Sequence, residues 1–126
     1  MFNLSSKYLK TVILVVTVYA VSQVFHRIQR HRYIAMAENT LTALSIEQEV
    51  YFSTHFSYTT ELMDLDMEEL GPLSISLFAT SEGWSAVATH KHLSSKDGCT
   101  IYFGKAEIFS LGDTTPKFPG DVACTP

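Results

Sequence analysis

The first 70 residues of this 126-residue chain contain no glycine and no proline. Nothing in that stretch forces a turn or breaks a helix, because those two residues are the strongest local punctuators of structure. Acidic residues are absent from the beginning as well: none precedes Glu38. Cysteine is scarce. Cys99 and Cys124 are the only two, and they form no Cys-x-x-Cys pair, which argues against a zinc knuckle or a thioredoxin-type redox motif. There is no Gly-x-Ser-x-Gly turn and no glycine-rich phosphate loop. The local signatures of a serine hydrolase and of a nucleotide-binding enzyme are therefore missing, and the expectation is a protein that is not an enzyme and carries no cofactor.

What is present is unevenly distributed. Residues 11–25 carry no charge and are rich in valine. Val12, Ile13, Leu14, Val15, Val16, Val18, Tyr19, Val21, Val24 and Phe25 form the apolar segment. Five of the nine basic residues bracket it: Lys7 and Lys10 before, Arg27, Arg30 and Arg32 after. Basic side chains beside an apolar span place their charges at lipid headgroups while their stems stay in the apolar layer. Counted from Leu4 or Tyr8, the span approaches the roughly 20 residues that a bilayer requires. Residues 1–32 are thus expected to be a transmembrane anchor with basic flanks. A signal peptide cleaved after Ala20 is the competing reading, since Val18-Tyr19-Ala20 has a small-residue ending.

Flanking charge gives almost equal weight to the two orientations of the anchor. The cysteines decide between them. A disulfide between Cys99 and Cys124 would contribute about 3 kcal/mol in the chain-entropy model and would place the remaining residues on an oxidising side. The alternative is two separate buried thiols. The rest of the chain is acidic, with all 13 acidic residues at or beyond Glu38, so nucleic acid is not an expected partner.

From Tyr33 to about Phe56 the apolar residues recur at helical spacing. Ile34, Ala37, Leu41, Leu44, Gln48, Tyr51 and Phe52 fall on one stripe, with Glu38, Glu47 and Glu49 off it. A helix can therefore continue out of the anchor from about Ser5 to about His55, a rod of roughly 75 Å. Residues 53–71 read as a loop with a short helical turn. Beyond them the period becomes two. Leu73, Ile75 and Leu77 alternate with serines, Trp84, Ala86 and Ala88 alternate with Ser85, Val87 and Thr89, and Cys99, Ile101 and Phe103 alternate with Thr100 and Tyr102. Three antiparallel strands are predicted, with turns at Ser81-Glu82-Gly83 and at residues 94–98. The fold class is α+β: a long helix packed on a small antiparallel sheet, with residues 33–126 as the head.

Several residues invite a chemical reading. His90 and His92 lie two apart and are expected as a surface pair, with a shared metal as the sharper alternative. His26, at the edge of the apolar segment, could ligate a haem or chlorin outside the helix, though a headgroup contact is the expected role. Glu61, Asp64, Asp66, Glu68 and Glu69 lack the glycine and alternation of a calcium loop and are expected to face solvent. Phe2, Tyr8, Tyr19, Phe25 and Tyr33 are spaced along the anchor, where aromatic residues mark membrane interfaces. Thr11, Thr17, Ala20 and Ser22 offer small surfaces for close contact with neighbouring helices, and pigments or lipids could lie against the same surface.

The head resembles a type IV pilin or a type II secretion pseudopilin. The resemblance covers about residues 33–126. It is carried by Ala37-Glu38-Asn39-Thr40-Leu41, Gln48-Glu49-Val50-Tyr51-Phe52, Phe56-Ser57-Tyr58-Thr59-Thr60-Glu61-Leu62, Gly83-Trp84-Ser85-Ala86-Val87, Cys99-Thr100-Ile101-Tyr102-Phe103-Gly104 and Pro119-Gly120-Asp121-Val122-Ala123-Cys124. It implies a long helix on an antiparallel sheet, closed by a C-terminal disulfide loop. Members of the family carry a basic leader ending in glycine, then Phe, with a Glu four residues later. No such site occurs in the first 70 residues. The expectation is accordingly an accessory structural subunit of a bacterial inner-membrane complex (photosynthetic, respiratory or secretion) with a periplasmic head and other integral membrane subunits as partners. A divergent pilin or minor pseudopilin and a secreted binding module are the alternatives.

Overall fold

The computed structural model describes residues 5–67 and 69–126. Phe2 and Leu4, counted with the anchor, and Glu68 of the acidic run lie outside the described residues. The elements are helix α1 (Ser6–His55), a 3-10 turn (Leu62–Leu65), and strands β1 (Leu73–Ala79), β2 (Gly83–His90), β3 (Cys99–Gly104) and β4 (Ala123–Cys124). The strands form one antiparallel sheet in the order β1-β2-β3-β4. The chain divides into two compact units, Met1–Arg32 and Tyr33–Pro126.

In the second unit the helix behaves as its spacing requires. Ile34, Ala37, Leu41, Leu44 and Gln48 are its buried residues, at steps of three and four that keep one face toward the sheet. They meet Trp84, Ala86 and Ala88 of β2, Cys99 and Ile101 of β3, and Leu65 and Leu73. Trp84 fills the largest volume, and the alanines beside it leave room for the helix backbone to come close. The helix ends where Phe56 takes a left-handed conformation (φ 55°), a position usually held by glycine.

Gln48 is the one polar member of the buried stripe, and it is fully used. Its amide Nε2 donates to the Thr59 carbonyl at 2.7 Å, and its Oε1 accepts from the Thr59 N–H at 3.2 Å. Thr59 in turn donates through Oγ1 to Asp64 at 2.8 Å. The chain reversal after the helix is thereby tied to the core through both peptide groups of Thr59.

The hairpin between β1 and β2 is tighter than the sequence suggests. Gly83 belongs to β2 and pairs with Gly104, so the turn is Ser81-Glu82 alone. Gly104 adopts φ 66°, and a Cβ there would strike the Glu82 carbonyl oxygen, which explains glycine at that point. β4, two residues long, was not among the predicted strands. Its register sets Cys99 directly opposite Cys124, and the disulfide joins them with Cα atoms 4.1 Å apart. The loop it closes lies over the sheet face opposite the helix. Phe109 stacks on Phe78 at 4.5 Å, its carbonyl accepts from Thr100 Oγ1 at 2.9 Å, and the Gly120 N–H donates to the Tyr102 carbonyl at 2.8 Å.

Two buried polar atoms have no partner among the described residues, Trp84 Nε1 and Ser85 Oγ. An unpaired buried hydroxyl is destabilising. Ser85→Ala is therefore expected to stabilise the head by about 1 kcal/mol, measured by denaturation of the full chain in detergent. Gln48→Met, close in length but apolar, strands the Thr59 peptide groups and is expected to destabilise it by about 3 kcal/mol in the same assay.

Candidate functional site

The first unit has little to bury and much that is apolar. Between Tyr8 and Ile28 the helix rises about 31 Å, close to the roughly 30 Å of a bilayer's hydrocarbon layer. All ten apolar residues of the segment expose more than half their surface, from 52% at Val12 to 66% at Tyr19. By length and composition this is the one helix among the described residues able to cross a membrane. Lys7, Lys10, Arg27 and Arg32 are exposed and Arg30 is half-buried, so cations stand at both ends of the apolar surface.

Two hydroxyls inside the segment are satisfied locally. Thr11 Oγ1 donates to the Lys7 carbonyl at 3.0 Å and Thr17 Oγ1 to the Ile13 carbonyl at 2.8 Å. Such back-bonding lets a hydroxyl sit in an apolar medium without a partner from outside. These threonines therefore present small methyl-bearing surfaces and need no hydrogen bond across an interface. Ala20, Val21, Val24, Phe25 and Ile28 line a shallow apolar groove of about 400 Å³. Their spacing of one, three and four residues keeps them on one helix face. His26 lies beside it with its ring edge-on to Phe25 at 6.2 Å.

The head's histidines depart from expectation. His90 is no surface residue: it is 4% exposed and stacks on Tyr33 at 4.1 Å. His92 is exposed, beyond the end of β2, with its ring 5.4 Å from that of His90. The reason is the period of β2. Trp84, Ala86 and Ala88 face the helix, and the next step of two is His90. The His92 backbone N–H donates to His90 Nδ1 at 3.1 Å. Nδ1 is thus unprotonated and the neutral ring carries its proton on Nε2. A metal on Nε2 would require a proton on Nδ1 facing another donor, so this hydrogen bond disfavours ligation by His90. Among the described residues no group of three or more His, Cys, Asp and Glu side chains could hold a metal.

The other sequence candidates fall into structural roles. Asp64 accepts from Thr59, and Asp66 takes a left-handed conformation at the end of the 3-10 turn. Tyr58 donates to Glu49 at 3.5 Å, and burial, followed by that carboxylate, raises its phenol above the ordinary value. The Tyr33–His90 stack had no motif to announce it; only the continued alternation along β2 pointed to a buried His90.

Among known proteins, no family model matches this chain and no curated protein is significantly similar to it.

Burial, then the neighbouring His92 and Lys91, lowers the pKa of His90. The unfolded chain binds the proton more readily, so stability is complete above the ordinary histidine value of about 6.5 and declines as pH falls below it. The thermal midpoint of the full chain in detergent is expected to drop between pH 7.5 and pH 5.5. His90→Phe is expected to flatten that slope, read from the same melting curves.

Proposed function

We propose that this chain is a non-catalytic structural subunit of a membrane assembly, held by its N-terminal helix, with a pilin-like head in an oxidising compartment. One observation carries the reading. The apolar residues from Val12 to Phe25 all lie more than half exposed, whereas the head completes a core of its own. A surface of that length and composition is stable only in lipid or against other apolar helices. The basic residues at both ends suit headgroups.

The disulfide supports an extracytoplasmic head, since such bonds persist in oxidising compartments. In a bacterium that corresponds to the periplasmic side of the inner membrane. The helix on a four-stranded meander with a disulfide-closed loop supports kinship in architecture with pilins and pseudopilins. Lateral packing suits the groove at Ala20 to Ile28, because the small side chain of Ala20 lets a neighbouring helix approach closely there. A neighbouring transmembrane helix, a lipid tail or a pigment could fill it.

The reading is tested by mild-detergent extraction of native membranes. The chain is expected to migrate with other integral membrane proteins at fixed stoichiometry on native gels and sizing columns. Ala20→Phe, which fills the groove, is expected to weaken that association at least tenfold while leaving the head's melting curve unchanged. Migration of the wild-type chain alone would refute the subunit reading. Recovery from the soluble fraction would refute the anchor.

A further inference from the structure

Strand β1 lies on an edge of the sheet, and the ladder shows which of its backbone groups face away. The Lys91 N–H donates to the Pro72 carbonyl at 3.0 Å, and the Thr80 N–H donates to the Gly83 carbonyl at 2.8 Å. Both bonds continue the register that sets Leu73 opposite His90 and Ala79 opposite Trp84. Bonded and unbonded pairs alternate in an antiparallel ladder. Ser74, Ser76 and Phe78 therefore turn their N–H and C=O groups toward β2, and Ile75, Leu77 and Ala79 turn theirs outward. Among the described residues no backbone hydrogen bond outside the ladder reaches these three.

Beyond Pro72 and Leu73, whose outward N–H donates to the Leu70 carbonyl at 3.1 Å, that edge has none of the usual protection. Its sequence is Leu-Ser-Ile-Ser-Leu-Phe-Ala, without charge or proline, and its register runs unbroken through seven pairs without a bulge. Exposed edges of this kind are templates for another strand, and proteins normally guard them with lysine, proline or a bulge. A groove of about 360 Å³ begins at Leu73 and runs to the helix residues Asn39, Thr40 and Ala43, with the carboxylates of Asp66 and Glu69 also on its wall. A residue opposite Ile75 or Leu77 on an added strand would place its side chain on the helix side of the sheet, since directly opposed residues share a face.

Resting on the subunit reading above, we infer that β1 receives an extended segment of a neighbouring protein as a fifth strand. That segment has apolar or small residues at its helix-facing positions and a Lys or Arg that meets Asp66 and Glu69. Main-chain pairing supplies the affinity and the alternate side chains supply the choice of partner. Residues 123–124 are not the occupant, because β4 holds the opposite edge. A second copy is distinguished from such a partner by the test below.

The test is residue-resolved amide hydrogen exchange on the full chain, first in its membrane-extracted assembly and then as the separated chain in detergent. Ile75, Leu77 and Ala79 are expected to exchange at least tenfold more slowly in the assembly. Ser74, Ser76 and Phe78 are expected to be protected in both states. Fast exchange at the three outward amides within an intact assembly would overturn the inference and leave the subunit reading standing, whereas a chain that extracts alone would remove both. Protection that persists in the separated chain would assign the edge to the chain itself if monomeric, or to a second copy if dimeric, and either result overturns the inference. Ala79→Pro removes an outward N–H only and is expected to keep the fold and the disulfide but lose at least tenfold in retention by the assembly; unchanged retention counts against the inference. Phe78→Pro, which removes an inward bond to β2, is the comparison expected to disrupt the head.

Discussion

One uninterrupted helix, Ser6–His55, has to satisfy two different surroundings. Over its second half it has one apolar stripe, and that stripe is buried by the sheet. Over its first half it is apolar around most of its circumference, and its large apolar residues are exposed among the described residues. The change of pattern occurs without any change of secondary structure, because no glycine or proline stands in the way. β-branched residues such as the run of valines from Val12 to Val24 are mediocre helix formers in water. In lipid the argument reverses, because every backbone group must find its partner within the segment and the helix is the arrangement that achieves this. The same composition that weakens a free helix in water therefore favours an anchor.

The head depends on how closely that helix can approach the sheet. Ala37 on the helix and Ala86 and Ala88 on β2 are all fully buried, and their small side chains let Trp84 and Leu41 occupy the space between the layers. A core of this size has little stability to spare. It is supplemented at two places by ties of different kinds. Gln48 holds the chain reversal by hydrogen bonds from inside the core, and the Cys99–Cys124 bond holds the final strand to its neighbour. The sulfur of Cys99 also lies 3.6 Å from the Ile34 carbonyl. The covalent tie is thus packed against the first turn of the head's helix segment and belongs to the core as much as to the loop.

Most of this architecture was legible because it is periodic. The helix was expected from about Ser5 to about His55 and spans Ser6–His55. The three longer strands appear where alternation of period two appears. What was missed lacks a period. β4 is two residues long, and a strand of that length has no alternation to detect; its pairing follows from the disulfide partner and not from its own sequence. Glycine usually marks a turn, so the sequence puts Gly83 in one, yet here it pairs with Gly104, and a Cβ on it would strike the Phe103 carbonyl oxygen and the Lys105 backbone nitrogen. The sequence favours a surface His90–His92 pair, because no third metal ligand stands at a useful spacing. The alternation of β2 overrode that preference, and Tyr33 and the His92 N–H made burial tolerable by covering the ring and pairing Nδ1. The long exposed apolar stretch of the helix is equally readable, since a run without charge needs no tertiary information to be recognised.

The two edges of the sheet show where the chain has completed itself and where it has not. At β4 the ladder stops after two residues, a disulfide crosses it, and the closed loop folds back over the outer face through Phe109 and Gly120. At β1 the ladder runs its full seven residues and ends in outward carbonyls and amides with no charge to repel a newcomer. An asymmetry of this sort is hard to explain as economy of folding, because a single lysine at Ser74 or Ser76 would guard the edge without touching the core. It is explained if the open edge and the bare helix answer to the same circumstance, a neighbour that is always present. A protein that met such neighbours only by chance would be exposed to aggregation at both surfaces, whereas one that is assembled as it is anchored would rarely expose either.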